Sequence, residues 1–232
     1  MTGYWVALVT EDWLYRMRTP EKGDVDSSVP FSQAARQAAM NWDPAKDEAA
    51  GEQCRAYGAA AIMRVPGRLH ITWENENTLR IDTDAGTQTR MLRFGGQQPP
   101  AGAPPEWQGF SVATWEGMGG RGGGRGGGGG GAPLTAAAGG APAAAPVRPG
   151  SVKVVTTNMR PGYIRKNGFP YGNTATMTEY FDRVNEPNGD VLLIVSTTLE
   201  DPQYLTQPFL TSTHFKKEPD ASKWSPSVCS AR

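Results

Sequence analysis

Histidine and cysteine are scarce in this chain, with two of each among 232 residues. His70 and His214 have no second His or Cys at ligand spacing, so a local zinc motif is excluded, and each is expected as an ordinary strand histidine. Long apolar runs are missing as well. No stretch approaches the roughly 18 residues a membrane-spanning helix requires, which excludes a helical span. Excess charge is also absent: 23 Lys and Arg balance 23 Asp and Glu, so no nucleic-acid-binding field and no acidic tail is implied. No glycine-rich segment ends in Lys-Ser or Lys-Thr before a helix, which excludes a phosphate-cradling loop of that kind. Gly109-Phe110-Ser111-Val112-Ala113 lacks the second glycine of a nucleophile elbow, and serine catalysis has little support. No cofactor and no metal are expected.

What is abundant is glycine, and its distribution is uneven. Residues 118–150 hold 14 of the 29 glycines with eight Ala and four Pro. This tract has no aromatic residue and no alternating pattern, so it cannot bury enough surface to offset its ordering entropy, and it is expected to be disordered. Arg121 and Arg125 among glycines suggest a nucleic-acid box. Two arginines without interleaved aromatics provide too few phosphate contacts and stacking partners for that role. Without the tract the chain keeps 20 basic against 23 acidic residues, an ordinary globular composition long enough for one domain with a sizeable core.

The remainder reads mainly as strands. Residues 4–9 form a first strand, followed by a loop over 19–30 rich in Pro, Gly, Asp and Ser. Residues 31–50 are a helical insert: Ser32 caps a helix over 33–42, and Asp43-Pro44 starts a second turn that Gly51 stops. Alternating strands follow at 69–73, 79–83 and 87–94, with turns at 74–77 and 84–86. After a Pro/Gly loop over 95–106, strand composition returns at 107–115, 151–157, 174–184, 191–198 and 209–217, with Asn188-Gly189 as a hairpin turn. Eight or nine consecutive antiparallel strands predict a mainly β fold, either an up-and-down barrel or a curved sandwich, because a sheet this large closes or folds over to remove its edges. The tract lies between two of these strands and reads as an expanded hairpin loop of one domain spanning 1–232, with a linker between domains as the alternative.

Polar residues inside strands are the candidates for chemistry. Glu179 shares a face with Met177, Phe181 and Arg183, because strand side chains alternate with period two. Turned inward, it would be a buried carboxylate in need of a cation, with Arg90 and Arg93 as candidate partners. Such a pair could orient a ligand, act as a general acid or base in an isomerase-like site, or fix strand register. Trp73, Trp107, Trp115, Tyr180 and Phe181 could line a pocket or fill a core. Cys54 and Cys229 are an even pair that invites a disulfide, with two unrelated thiols as the alternative. A bridge would close a loop of more than 170 residues and stabilise by about 4–5 kcal/mol in the chain-entropy model. The segment beginning Met1-Thr2-Gly3-Tyr4 has neither the basic nor the apolar part of a secretory signal. Either the chain stays in the cytoplasm, or its signal has been removed.

Three motifs add a resemblance. Trp107-Gln108-Gly109-Phe110-Ser111-Val112-Ala113-Thr114-Trp115-Glu116-Gly117, Thr178-Glu179-Tyr180-Phe181 and Asp201-Pro202-Gln203-Tyr204-Leu205-Thr206-Gln207-Pro208 resemble motifs of a group of uncharacterised bacterial exported proteins. The group's patterns run Trp-x-Gly-His-Ser-Val-x-x-Trp-Glu-Gly, Thr-Glu-x-Phe and Asp-Pro-x-x-Tyr-Thr-x-Pro-Trp. The resemblance covers residue 54 to the C-terminus. It implies an exported, periplasmic or secreted, lipocalin-like antiparallel β-barrel, and it makes the tract an insertion. Phe110 stands where the group has His, and Pro170-Tyr171-Gly172-Asn173 stands where it has Pro-His-Ser-Glu, so histidine-dependent chemistry is not carried over. Export favours the Cys54 to Cys229 bridge. The resulting expectation is a non-enzymatic barrel for a small, largely apolar ligand, with Trp73, Trp115 and Phe181 as walls and Glu179 with Arg90 or Arg93 orienting it. The competing expectations are an isomerase or cyclase using Glu179, and an envelope module whose long loop contacts a partner protein.

Overall fold

The structure, a computed structural model, describes residues 1–24, 29–116 and 151–231. The expected disorder of 118–150, and part of the 19–30 loop, therefore lie outside the described residues. Nine strands close into a barrel: β1 (Gly3–Leu8), β2 (Arg68–Asn75), β3 (Thr78–Thr83), β4 (Thr89–Arg93), β5 (Phe110–Trp115), β6 (Val152–Thr157), β9 (Thr176–Asn185), β10 (Val191–Glu200) and β11 (Phe209–Glu218). The skipped numbers belong to a small hairpin of β7 (Gly162–Tyr163) and β8 (Pro170–Tyr171). Strand neighbours around the barrel follow chain order, and β1 closes it by pairing with both β2 and β11.

The closure follows from patterning. In β6, Val152, Val154 and Thr156 are buried while Lys153, Val155 and Thr157 are less so, and β2, β4 and β9 alternate in the same way. A sheet with one apolar face can bury it by curling onto itself, which also removes its unpaired edges. Trp5, Ile71, Ile81, Leu92, Val154, Phe181, Leu193, Val195 and Phe215 fill the interior, each at most 1% exposed. The antiparallel order is broken once. β4 and β5 pair in parallel through Leu92 with Ser111 and Arg93 with Val112. Residues 94–109, with their prolines and glycines, are long enough to carry the chain back to the other end of the barrel, which a short hairpin turn cannot do.

Four short helices are described: α1 (Trp13–Met17), α2 (Gln33–Met40), α3 (Pro44–Ala49) and α4 (Ala59–Ile62). The α2 and α3 boundaries agree with their caps, since Ser32 Oγ accepts from the Ala35 N–H and Asp43 Oδ1 from the Ala45 N–H. Helix α4 is buried at every residue. It closes one end of the barrel against Met177, Leu199 and Phe209, and a second apolar cluster gathers around it from α2 and the β7–β8 hairpin. Cys54 and Cys229 form a disulfide. The bridge fastens the C-terminal tail against the β3–β4 turn, where the Ser227 N–H donates to the Asp84 carbonyl and Thr87 Oγ1 donates to the Ser227 carbonyl. Gly86 is required in that turn: its φ is +74° and an added Cβ would strike the Tyr57 ring.

Candidate functional site

Glu179 and Arg90 meet inside the barrel. β9 turns Glu179 inward between Met177 and Phe181, β4 turns Arg90 inward beside Leu92, and both side chains are fully buried. Arg90 Nη1 donates to Glu179 Oε1 at 3.1 Å and Nη2 to Oε2 at 2.6 Å, the parallel two-bond geometry that makes arginine–carboxylate pairs strong. Arg90 Nη2 also points at Thr156 Oγ1 at 3.5 Å, and Thr156 shares a hydrogen bond with Ser111 at 2.8 Å. The pair thus links β4 and β9 across the intervening β5 and β6. Beside Glu179, between α4 and Thr197, Thr211 and Phe209, the free space is only about 10 Å³, room for about one water molecule.

Arg93 does not join this pair. Its position is one residue out of phase with Arg90, and its guanidinium lies 4.4 Å from the Phe110 ring centroid while Nη1 donates to the Met91 carbonyl. Of the aromatic candidates, Phe181 is 1% exposed and belongs to the interior. Trp73 and Trp115 occupy the rim. Both continue the inward-facing positions of their strands, after Ile71 and Ala113, but they lie where β2 and β5 end, so their rings are 45% and 42% exposed. Phe94, which continues the inward phase of Arg90 and Leu92, stands between them with ring centroids 5.5 Å from Trp73 and 5.4 Å from Trp115. Three rings therefore form a continuous shelf at the end of the barrel away from α4. On the β11 side Lys217 stands 4.8 Å over the Trp5 ring, and burial, with a contribution from Arg183, lowers its pKa.

The histidines are occupied by ordinary neighbours. His70 stacks on Tyr4 at 4.1 Å, and His214 lies within hydrogen-bond distance of Thr10 and Ser212. Among the described residues no group of three His, Cys, Asp or Glu side chains could hold a metal ion.

Two polar clusters carry no motif in the sequence. Asp47 in α3 accepts from Trp42 Nε1, Tyr163 OH and Arg55 Nη1, all at 2.9–3.0 Å; burial, and then the bond to Asp47, push the Tyr163 hydroxyl well above its ordinary range. Near α1, Arg64 pairs with Glu11 and Asp12, and Arg165 with Asp12. Each cluster draws on segments far apart in the chain, so spacing gives no sign of it. Phe94 was the accessible signal, because it extends the alternation of Arg90 and Leu92 by one step. Comparison of the chain with protein-family models, curated proteins and solved structures finds no match.

Proposed function

We propose that this chain is an exported, non-enzymatic binding protein that takes a small, largely apolar ligand on the Trp73–Phe94–Trp115 shelf at the barrel rim. The carrying observation is the exposure of Trp73 and Trp115 at inward-facing positions of that rim, each in ring contact with Phe94 between them. Large aromatic rings left accessible beside a packed interior present apolar surface and flat faces to which a ring or an aliphatic chain can bind. The space described beside the buried Glu179 is about 10 Å³, and for that reason we favour binding over an isomerase-type reaction there: a general base must come within hydrogen-bond reach of its substrate. The Arg90–Glu179 pair then supports the barrel from within by fixing the relation of β4 to β9. Export is supported by the disulfide, since such bridges persist in oxidising compartments, and by the resemblance of three sequence motifs to those of the exported barrel group.

Native mass spectrometry of the exported protein, together with tryptophan fluorescence titrated with a hydrophobic naphthalene probe, tests the reading. Binding should quench or shift the tryptophan emission, and the Trp73→Ala/Trp115→Ala double variant should bind at least about tenfold more weakly with an unchanged far-ultraviolet spectrum. Equal binding by the double variant would remove the shelf from the function.

A further inference from the structure

Arg16 is a buried cation whose guanidinium is only partly satisfied. It projects from α1, is 7% exposed, and its Nε donates to the Arg64 carbonyl at 2.9 Å. Its other two nitrogens, Nη1 and Nη2, are buried without any acceptor among the described residues. A guanidinium carries five donors in a rigid planar fork, and leaving the outer ones unpaired away from water is costly. Among the described residues the carboxylates that act on Arg16 are committed elsewhere: Glu11 and Asp12 bond to Arg64, and Asp12 also to Arg165. Burial, and then the charge of Arg64, bring the Arg16 pKa down to about 10, so the side chain stays cationic at neutral pH.

Arg16 also lines a cleft. With Tyr15 from α1, Ala61 from α4, Arg64, and Arg165 and Lys166 from the β7–β8 connection, it bounds about 30 Å³ of free space. That is too small for a whole metabolite and suited to a head group of a few atoms. A buried guanidinium fork without acceptors among the described residues, lining a small cleft, matches the recognition of an oxyanion, whose paired oxygens accept two parallel N–H bonds. We propose that this cleft binds a small oxyanion, of phosphate or carboxylate type, through Nη1 and Nη2 of Arg16. The site is distinct from the aromatic shelf, and its residues belong to the helical end of the barrel.

The probes are inorganic phosphate and acetate, each titrated against chloride at equal ionic strength and pH. Thermal unfolding of the full chain should show a saturable rise in midpoint with one or both oxyanions, as expected for a ligand that binds only the folded state. Phosphate alone marks a tetrahedral head group and acetate alone a carboxylate. Arg16→Met, similar in length but without donors, should abolish the rise; Arg16→Lys, which keeps the charge but not the fork, should weaken binding at least about tenfold. Midpoints that follow chloride for both anions, or an equal rise in wild type and Arg16→Met, would overturn the proposal. Should the variants fail to fold, the side-chain nitrogen resonances of Arg16 in the wild-type protein decide: displacement during the titration supports the site, and unchanged resonances reject it.

Discussion

At the residue scale, the fully buried Arg90–Glu179 pair has opposite expected responses to losing one partner and to losing both. Removing one partner leaves the other charge in the interior with nothing to offset its lost hydration. Glu179→Gln or Arg90→Met should therefore cost about 3–5 kcal/mol in urea unfolding, whereas the double replacement Arg90→Met/Glu179→Met should recover most of that loss. Asp12 gives a second test. Burial pushes its carboxyl up, but the hydrogen bonds and charges of Arg64 and Arg165 outweigh it, and the pKa lies below 3.8. A carboxyl lowered in the folded state adds stability above its unfolded value, and that stability is lost as pH falls through the folded value. Asp12→Asn should flatten the acid limb of the stability curve below pH 3.8 and leave the slope near neutrality unchanged, as read from urea midpoints at stepped pH. Glu179 was legible in the sequence because a carboxylate stood on an apolar strand face. Its partner was not, since Met91 and Leu92 are both apolar and either phase of β4 could have turned inward; register decided for Arg90.

At the element scale, capping chemistry placed α2 and α3 correctly, while α4 was hidden. Ala59-Ala60-Ala61-Ile62 has no polar face, so periodicity cannot separate it from a buried strand or loop. Its role as the barrel's end plug depends on what surrounds it. The disulfide is similar in that two cysteines announce the option and the fold supplies the proximity. Cys54→Ser/Cys229→Ser should lower stability by about 2–5 kcal/mol and release the tail from the β3–β4 turn. Limited proteolysis near Ser227 checks the release, and an unchanged cleavage pattern would show that the hydrogen bonds of Ser227 to Asp84 and Thr87 suffice.

At the scale of the whole molecule, the barrel's continuity does not depend on residues 118–150. Their flanking strands are already hydrogen-bonded neighbours, paired from Phe110 with Thr157 to Trp115 with Val152. Replacing the tract by a short turn should keep the fold and raise stability by about 2 kcal/mol, because loop-closure cost grows only logarithmically with length. Thermal unfolding of the shortened chain measures this. Ligand binding at the shelf should persist, and a partner protein lost from pull-down after the deletion would favour the envelope-module reading instead.

The mainly β class, the nine barrel strands, the capped helices and the inward phase of Glu179 were set by local pattern, since alternation, turn residues and caps act over a few neighbouring positions. Tertiary structure alone decided the parallel β4–β5 contact, the choice of Arg90 over Arg93, the gathering of Trp73, Phe94 and Trp115 at one rim, and the unpaired fork of Arg16. Each of these depends on how strands stagger around a closed barrel and where distant segments dock. No sequence spacing encodes that, because the residues involved are separated by tens of positions and meet only when the sheet closes.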